Sequence, residues 1–214
     1  MNCDSFYYIK EELKAYMART QEQNEKISSA TKEKIMKAGL KLFSQKGFSI
    51  TGIKDIAQTA GISTGLIYRH FSTKEELFAE LLKNTIEELS KAIRFLESDG
   101  SPAQTFNELT SDLLKDIQSS DELSDYFLLI TRYTLEKEAL PQMEEFKKSD
   151  LLLYENAARL IERGQKLGEF KAGDPYKLSL LYFSLIQGMA DMKLFLGEKY
   201  ISPQVRDIMA ILLK

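Results

Sequence analysis

Apolar residues in this 214-residue chain recur every three or four positions, segment after segment, and no alternating apolar–polar run lasts more than a few residues. A helix brings side chains back to one face after about 3.6 residues and a strand after two, so this spacing predicts an all-α fold. With 43% apolar and 29% charged residues the chain has enough apolar surface to form a core and is not a disordered polymer.

Local signals divide the pattern into helices. Phe6, Ile9, Leu13, Tyr16 and Met17 predict an N-terminal helix, followed by a polar linker from Arg19 to Ser29. Thr31 is placed to cap a second helix carrying Ile35, Ala38, Leu42 and Phe43, with Gly47 at its end. A short helix holding Ile53, Ile56, Ala57 and Ala60 stops at Gly61, and Ser63 caps another that holds Ile67 and Phe71. Ser72 and Glu75 fit a capping box opening a long helix through Phe78, Leu82 and Leu89. After the loop Ser98 to Pro102, helices are predicted near 102–119, 122–136, 140–166, 175–197 and 203–213, the last two from Asp174–Pro175 and Ser202–Pro203 starts.

Charge is distributed unevenly. The chain carries a net −3, yet Thr31 to Lys83 holds nine Lys and Arg against five Asp and Glu, so the remainder is acidic. A basic segment joined to an acidic body is what a small DNA-reading head on a larger unit requires. The single cysteine, Cys3, excludes an internal disulfide and a multi-cysteine zinc site and fits a cytoplasmic protein. No apolar run approaches the ~20 residues of a membrane helix.

The stretch from Ile53 to Phe71 has the form of a helix-turn-helix: two short helices, a tight turn at Gly61, and Ile56, Ala57, Ile62, Ile67 and Phe71 to fix their angle. With Ile67 and Phe71 buried, Gly65, Leu66 and Arg69 are expected to face outward and Thr64 and Tyr68 to flank them. Ser63 and Gly65 keep the start of this reader helix small enough for close approach to base edges. Tyr68, His70 and Lys74 suit phosphate contacts, and Lys54 is in reach of the DNA backbone or a groove-edge base. The competing reading is a mere corner in an all-helical protein.

The run from Lys34 to Phe78, KIMKAGLKLFSQKGFSITGIKDIAQTAGISTGLIYRHFSTKEELF, resembles the N-terminal domain of TetR-family regulators. Leu42, Phe43, Gly47, Thr51, Ile56, Ala57, Ala60, Gly61, Ser63, Gly65, Tyr68, His70, Phe71, Ser72, Lys74, Glu75 and Leu77 carry the likeness. Two positions depart from it. Gly39 stands where the family has alanine, and Leu66 where a small or hydroxyl residue is common. The resemblance implies a three-helix DNA-binding head, residues 31–83, and a helical dimerisation and ligand-binding domain, residues 84–214, with 1–30 as an N-terminal extension and linker.

In the body, Leu181, Leu185, Gly188, Met192 and Leu196 form one stripe of the 175–197 helix, and Leu178, Tyr182, Ile186 and Met189 another. Two stripes imply two partners: the subunit's own core and a second copy. Val205 and Met209 join the expected dimerisation set, and Gly188 fits either close helix approach between copies or a contact within one. Phe106, Leu109, Phe127, Ile130, Tyr133, Met143, Phe146, Tyr154 and Gln187 are candidates for a pocket taking an apolar inducer, or for plain core. One histidine, no phosphate-binding glycine loop and no spaced metal ligands argue against an enzyme and against any cofactor. The function expected is a homodimeric repressor of operator DNA released by a small molecule. The alternative is a ligand-independent DNA-binding or scaffold protein of the same fold.

Overall fold

The computed structural model describes residues 3–135 and 141–214, with side chains described for 23–134 and 141–214. Nine α-helices are described: α1 (Cys3–Lys46), α2 (Ile53–Ala60), α3 (Thr64–Tyr68), α4 (Lys74–Leu96), α5 (Pro102–Ser119), α6 (Glu122–Leu135), α7 (Pro141–Lys166), α8 (Pro175–Leu196) and α9 (Val205–Met209). The described residues contain no strand beyond an isolated bridge between Phe170 and Leu213. No helix among them is long and apolar enough to cross a membrane.

The linker expected from Arg19 to Ser29 is instead helical, and α1 runs through it unbroken. The stretch has no Pro or Gly, and its Arg, Gln, Glu and Lys all favour a helix; polarity by itself ends nothing. Thr31 is therefore no N-cap. Its hydroxyl donates back to the Ile27 carbonyl at 2.8 Å, inside the helix. The apolar stripe of the N-terminal helix, expected to pack on the chain's own body or on a dimer mate, lies outside the described side chains. α1 stops at Gly47, whose φ of 92° is open to glycine and whose N–H reaches the Phe43 carbonyl at 3.0 Å.

Further along, caps set the boundaries. α4 starts one residue later than its expected box: Thr73 Oγ1 accepts from the Glu76 N–H at 3.1 Å, and Glu76 Oε2 accepts from the Ser72 N–H at 2.6 Å. Ser101 and Asp174 cap α5 and α8, each ahead of a proline. The final helix starts later than the 203 expected, because Gln204 with Asp207 caps it rather than Ser202, and it ends at Met209 rather than 213.

The buried side chains form two apolar clusters. The first centres on Phe43, Phe48 and Phe78, whose rings lie 4.9–5.6 Å apart, together with Ile35, Ile56, Ile67, Leu77 and Leu81. α6 and α7 contribute to it: Tyr133 stacks at 4.6 Å from Phe78, and Met143 and Phe146 are buried in the same cluster. The second is the body core, where Phe106 meets Tyr182 at 5.0 Å and Phe170 at 5.8 Å, and the Tyr182 and Thr110 hydroxyls are 2.8 Å apart. A Cβ on Gly164 would fall 2.3 Å from the Phe170 ring, so this close return after α7 needs glycine.

A polar contact also joins head to body. Ser44 Oγ on α1 donates to Asp125 Oδ1 on α6 at 2.6 Å, with both residues buried. Burial raises the Asp125 carboxyl above the ordinary carboxylate value, and the Ser44 hydrogen bond opposes part of that rise.

Candidate nucleic-acid interface

α2 and α3 are short because backbone chemistry ends each of them. Asp55 Oδ2 accepts from the Gly52 N–H at 3.1 Å at the start of α2. At its end Gly61 takes the left-handed conformation, φ 67°, and the Ile62 N–H returns to the Ala57 carbonyl at 3.0 Å. Ser63 then caps α3, its Oγ accepting from the Leu66 N–H at 3.2 Å. The turn between the helices is thus closed by its own hydrogen bonds. Ile56, Ala57, Ile67 and Phe71, all buried, hold the pair against α1 and α4.

With Ile67 fixed inward, Ser63, Gly65, Tyr68 and Arg69 are exposed, as is Lys54 on α2. Thr64, Leu66 and His70 are half-buried. The outward face is therefore centred slightly differently from the sequence expectation: Tyr68, 56% exposed, stands out, while Leu66 sits partly against the head. α3 lasts five residues, so Arg69, His70 and Phe71 leave it in a turn whose N–H groups still point at the Ile67 carbonyl. Tyr68 and Arg69 can reach phosphates or base edges, and the bare backbone at Gly65 allows close approach.

Lys74 has different partners from those expected of a phosphate contact. Its Nζ donates to the carbonyls of Phe48, Ser49 and Thr51 at 2.9, 3.3 and 3.4 Å and lies 4.4 Å from the centre of the Phe48 ring. An ammonium has three protons, and all three are directed into the turn between α1 and α2. Thr51, buried, holds the same turn by donating to the Gly47 carbonyl at 2.7 Å. Neither role was visible in helical spacing, since both depend on a turn that folds back on α4.

Gly39 has a packing cause. A Cβ there would lie 2.9 Å from Leu77 Cδ2, so the glycine makes room for a buried leucine of α4 rather than merely loosening α1.

In the body, the two stripes of α8 separate as expected. Leu178, Tyr182, Ile186 and Met189 are buried, whereas Leu181, Leu185, Gly188, Met192 and Leu196 are exposed, and Gly188 faces open space. Phe195 extends the exposed stripe. Met209 departs from the dimerisation set: it is fully buried in the body core, 3.5 Å from the Thr110 hydroxyl, because short α9 packs back on α5. Val205 is partly buried against the same core.

The nine pocket candidates do not converge on one cluster. Ile130, Tyr133, Met143 and Phe146 belong to the cluster shared with the head, and Phe106, Leu109 and Phe127 to the body core. Tyr154 meets Phe183 at 5.3 Å, and Gln187 Nε2 donates to Thr131 Oγ1 at 3.2 Å.

Residues 35–81, which span α2, α3 and their supports, match the family model of bacterial regulatory proteins of the tetR family. This head is similar to the DNA-binding heads of that family. YfiR of Bacillus subtilis, an HTH-type transcriptional regulator, is 25% identical over 81% of this chain and 87% of its own. The TetR-type fold extends through the body. The MbdR regulator from Azoarcus aligns over 86% of this chain and 97% of its own, with a TM-score of 0.72 at 18% identity. A transcriptional regulator from Saccharomonospora viridis, solved in complex with choline, aligns over 87% and 99% with a TM-score of 0.61 at 19% identity.

Proposed function

We propose that two copies of this TetR-type regulator hold a near-palindromic operator, one α3 in each half-site, as a cytoplasmic repressor. The face of α3 carries this reading: Ser63, Gly65, Tyr68 and Arg69 are exposed on a helix pinned by Ile67 and Phe71. Lys54, Thr64, Leu66 and His70 flank that face, and the units are a head of residues 31–83 and a body of 84–214. One head offers a small contact area, so pairing through the exposed α8 stripe doubles it and sets half-sites one helical turn apart, about 34–36 Å. Selection of bound sites from random DNA should return an inverted repeat at that spacing; a single half-site bound by a monomer would refute the reading. Leu66→Ala should then relax preference at one base pair per half-site, since a leucine contributes to base choice only by apolar contact such as with a thymine methyl.

Release by an apolar small molecule in the body is the second part of the proposal, supported by its aromatic content and by the choline complex of one fold relative. An effector has to bind the DNA-free state better than the DNA-bound one to shift the balance. A ligand-independent regulator is the rival reading, favoured by the division of the pocket candidates between two packed clusters. A thermal-shift screen followed by operator titration separates them: a stabilising compound that lowers operator affinity supports release, and one that leaves it unchanged opposes release by that compound.

A further inference from the structure

A cleft of about 420 Å³ opens where α1 meets α4 and α6. It lies apart from the body core, and its volume is that of a small-molecule site. α1 lines it with Met36 and Leu40, one turn apart; Leu81 of α4 and Tyr126 of α6 add apolar surface. Met36 and Tyr126 remain partly exposed, so this surface is available.

The rim selects the charge of an occupant. Both lining lysines are engaged: Lys32 with Glu80 at 2.6 Å and Lys37 with Glu33 at 2.9 Å. An anion would have to break one of these pairs. Glu122, exposed at the start of α6, is the lining carboxylate that makes no contact ion pair with either lysine, though Lys37 lies near enough to feel its charge. The local field has the same sign: Tyr126 is pushed up to about 12 by burial first and then by the carboxylates of Glu122 and Glu88. Burial resists charge of either sign, but the Glu122 and Glu88 carboxylates resist only a negative one, and an aromatic ring beside a carboxylate suits an organic ammonium.

We propose that this cleft binds a small organic cation with an aromatic or branched apolar body, the ammonium against Glu122 and Tyr126 and the apolar part on Met36 and Leu40. The site is separate from the body interior invoked for release of DNA and does not depend on that reading.

Phenethylammonium, with 2-phenylethanol as its neutral counterpart, tests it on the full-length chain. The Met36 methyl resonance, identified by its loss in Met36→Leu, should shift on titration with the cation while that of Met189 in the body core stays. Glu122→Gln, an exposed position, should weaken the cation roughly five- to tenfold, about 1–1.4 kcal/mol, and leave the alcohol unaffected. A Met36 signal that does not move, an affinity equal in Glu122→Gln and the parent, or an alcohol that binds as well as the amine would each overturn the proposal.

Discussion

In the head, the side chains that set the reader's angle, Ile56, Ala57, Ile67 and Phe71, are near neighbours in sequence, whereas in the body Tyr182 meets Thr110 from 72 positions away. Short-range packing leaves a periodic trace in the chain and ties residue type to position. Long-range packing leaves only the requirement that something apolar be present. The outer faces differ too: α3 shows small and polar groups, and α8 shows Leu181, Leu185, Met192 and Phe195. One surface suits a wet, charged polymer and the other an apolar partner of the same shape.

The strongest way to break this contrast is at the point where the two regions share a core. Phe78→Ala removes a fully buried ring in contact with Phe43, Phe48 and Tyr133 and should cost about 3–5 kcal/mol. A single melting transition at lower temperature is expected by circular dichroism. Two separated transitions would mean that head and body are independent units.

Leu181→Glu, at a position 59% exposed, should weaken self-association by roughly 100-fold through an unpaired charge in the interface. The fold of the single chain should be retained. Sedimentation would show a monomer with native helicity; an unchanged dimer would move the interface off this stripe.

Lys74→Ala distinguishes two roles at one residue. Loss of its three carbonyl partners should lower stability by about 1–2 kcal/mol, a melting shift of roughly 2–8 °C for a chain of this size. A direct phosphate contact would instead flatten the salt dependence of DNA binding by about 0.9 in slope without a stability change.

Asp125→Asn examines the polar junction between the regions. Because burial raises the native carboxyl above its ordinary value, ionisation costs stability above that raised value, and the cost disappears below the ordinary one. Asparagine keeps an acceptor for Ser44 and carries no charge. The variant should therefore melt above the parent at neutral pH, with the gap closing as pH falls below about 4. A gap that widens with acid would show that the ionised form is the favoured one.

The smallest effect is expected for Gly39→Ala. Better helix propensity contributes about 1 kcal/mol, and the 2.9 Å approach to Leu77 takes back a similar amount, so chemical denaturation should find a change below about 1 kcal/mol.

Helix number and most boundaries beyond Gly47 were legible because caps, glycines and prolines are local signals: Ser63 and Asp174 each cap as their spacing predicts. The continuity of α1 was not, since a polar run with no helix breaker reads equally as linker and as exposed helix. Gly61 and the inward Ile67 could be read in advance, but the half-buried Leu66 could not, because five residues fix the phase of a helix poorly. Met209 was misplaced because periodicity shows that a residue is buried and is silent on which neighbour covers it.

The unbroken course of α1 gives the molecule a lever. Its 44 residues span about 66 Å, and the chain's single cysteine, Cys3, begins it at the end remote from the head. A small rotation of the head is multiplied along that length into a displacement of several ångströms at the tip. In the proposed dimer, a spin label or fluorophore on Cys3, one per copy, would turn the angle between the two heads into a measurable distance.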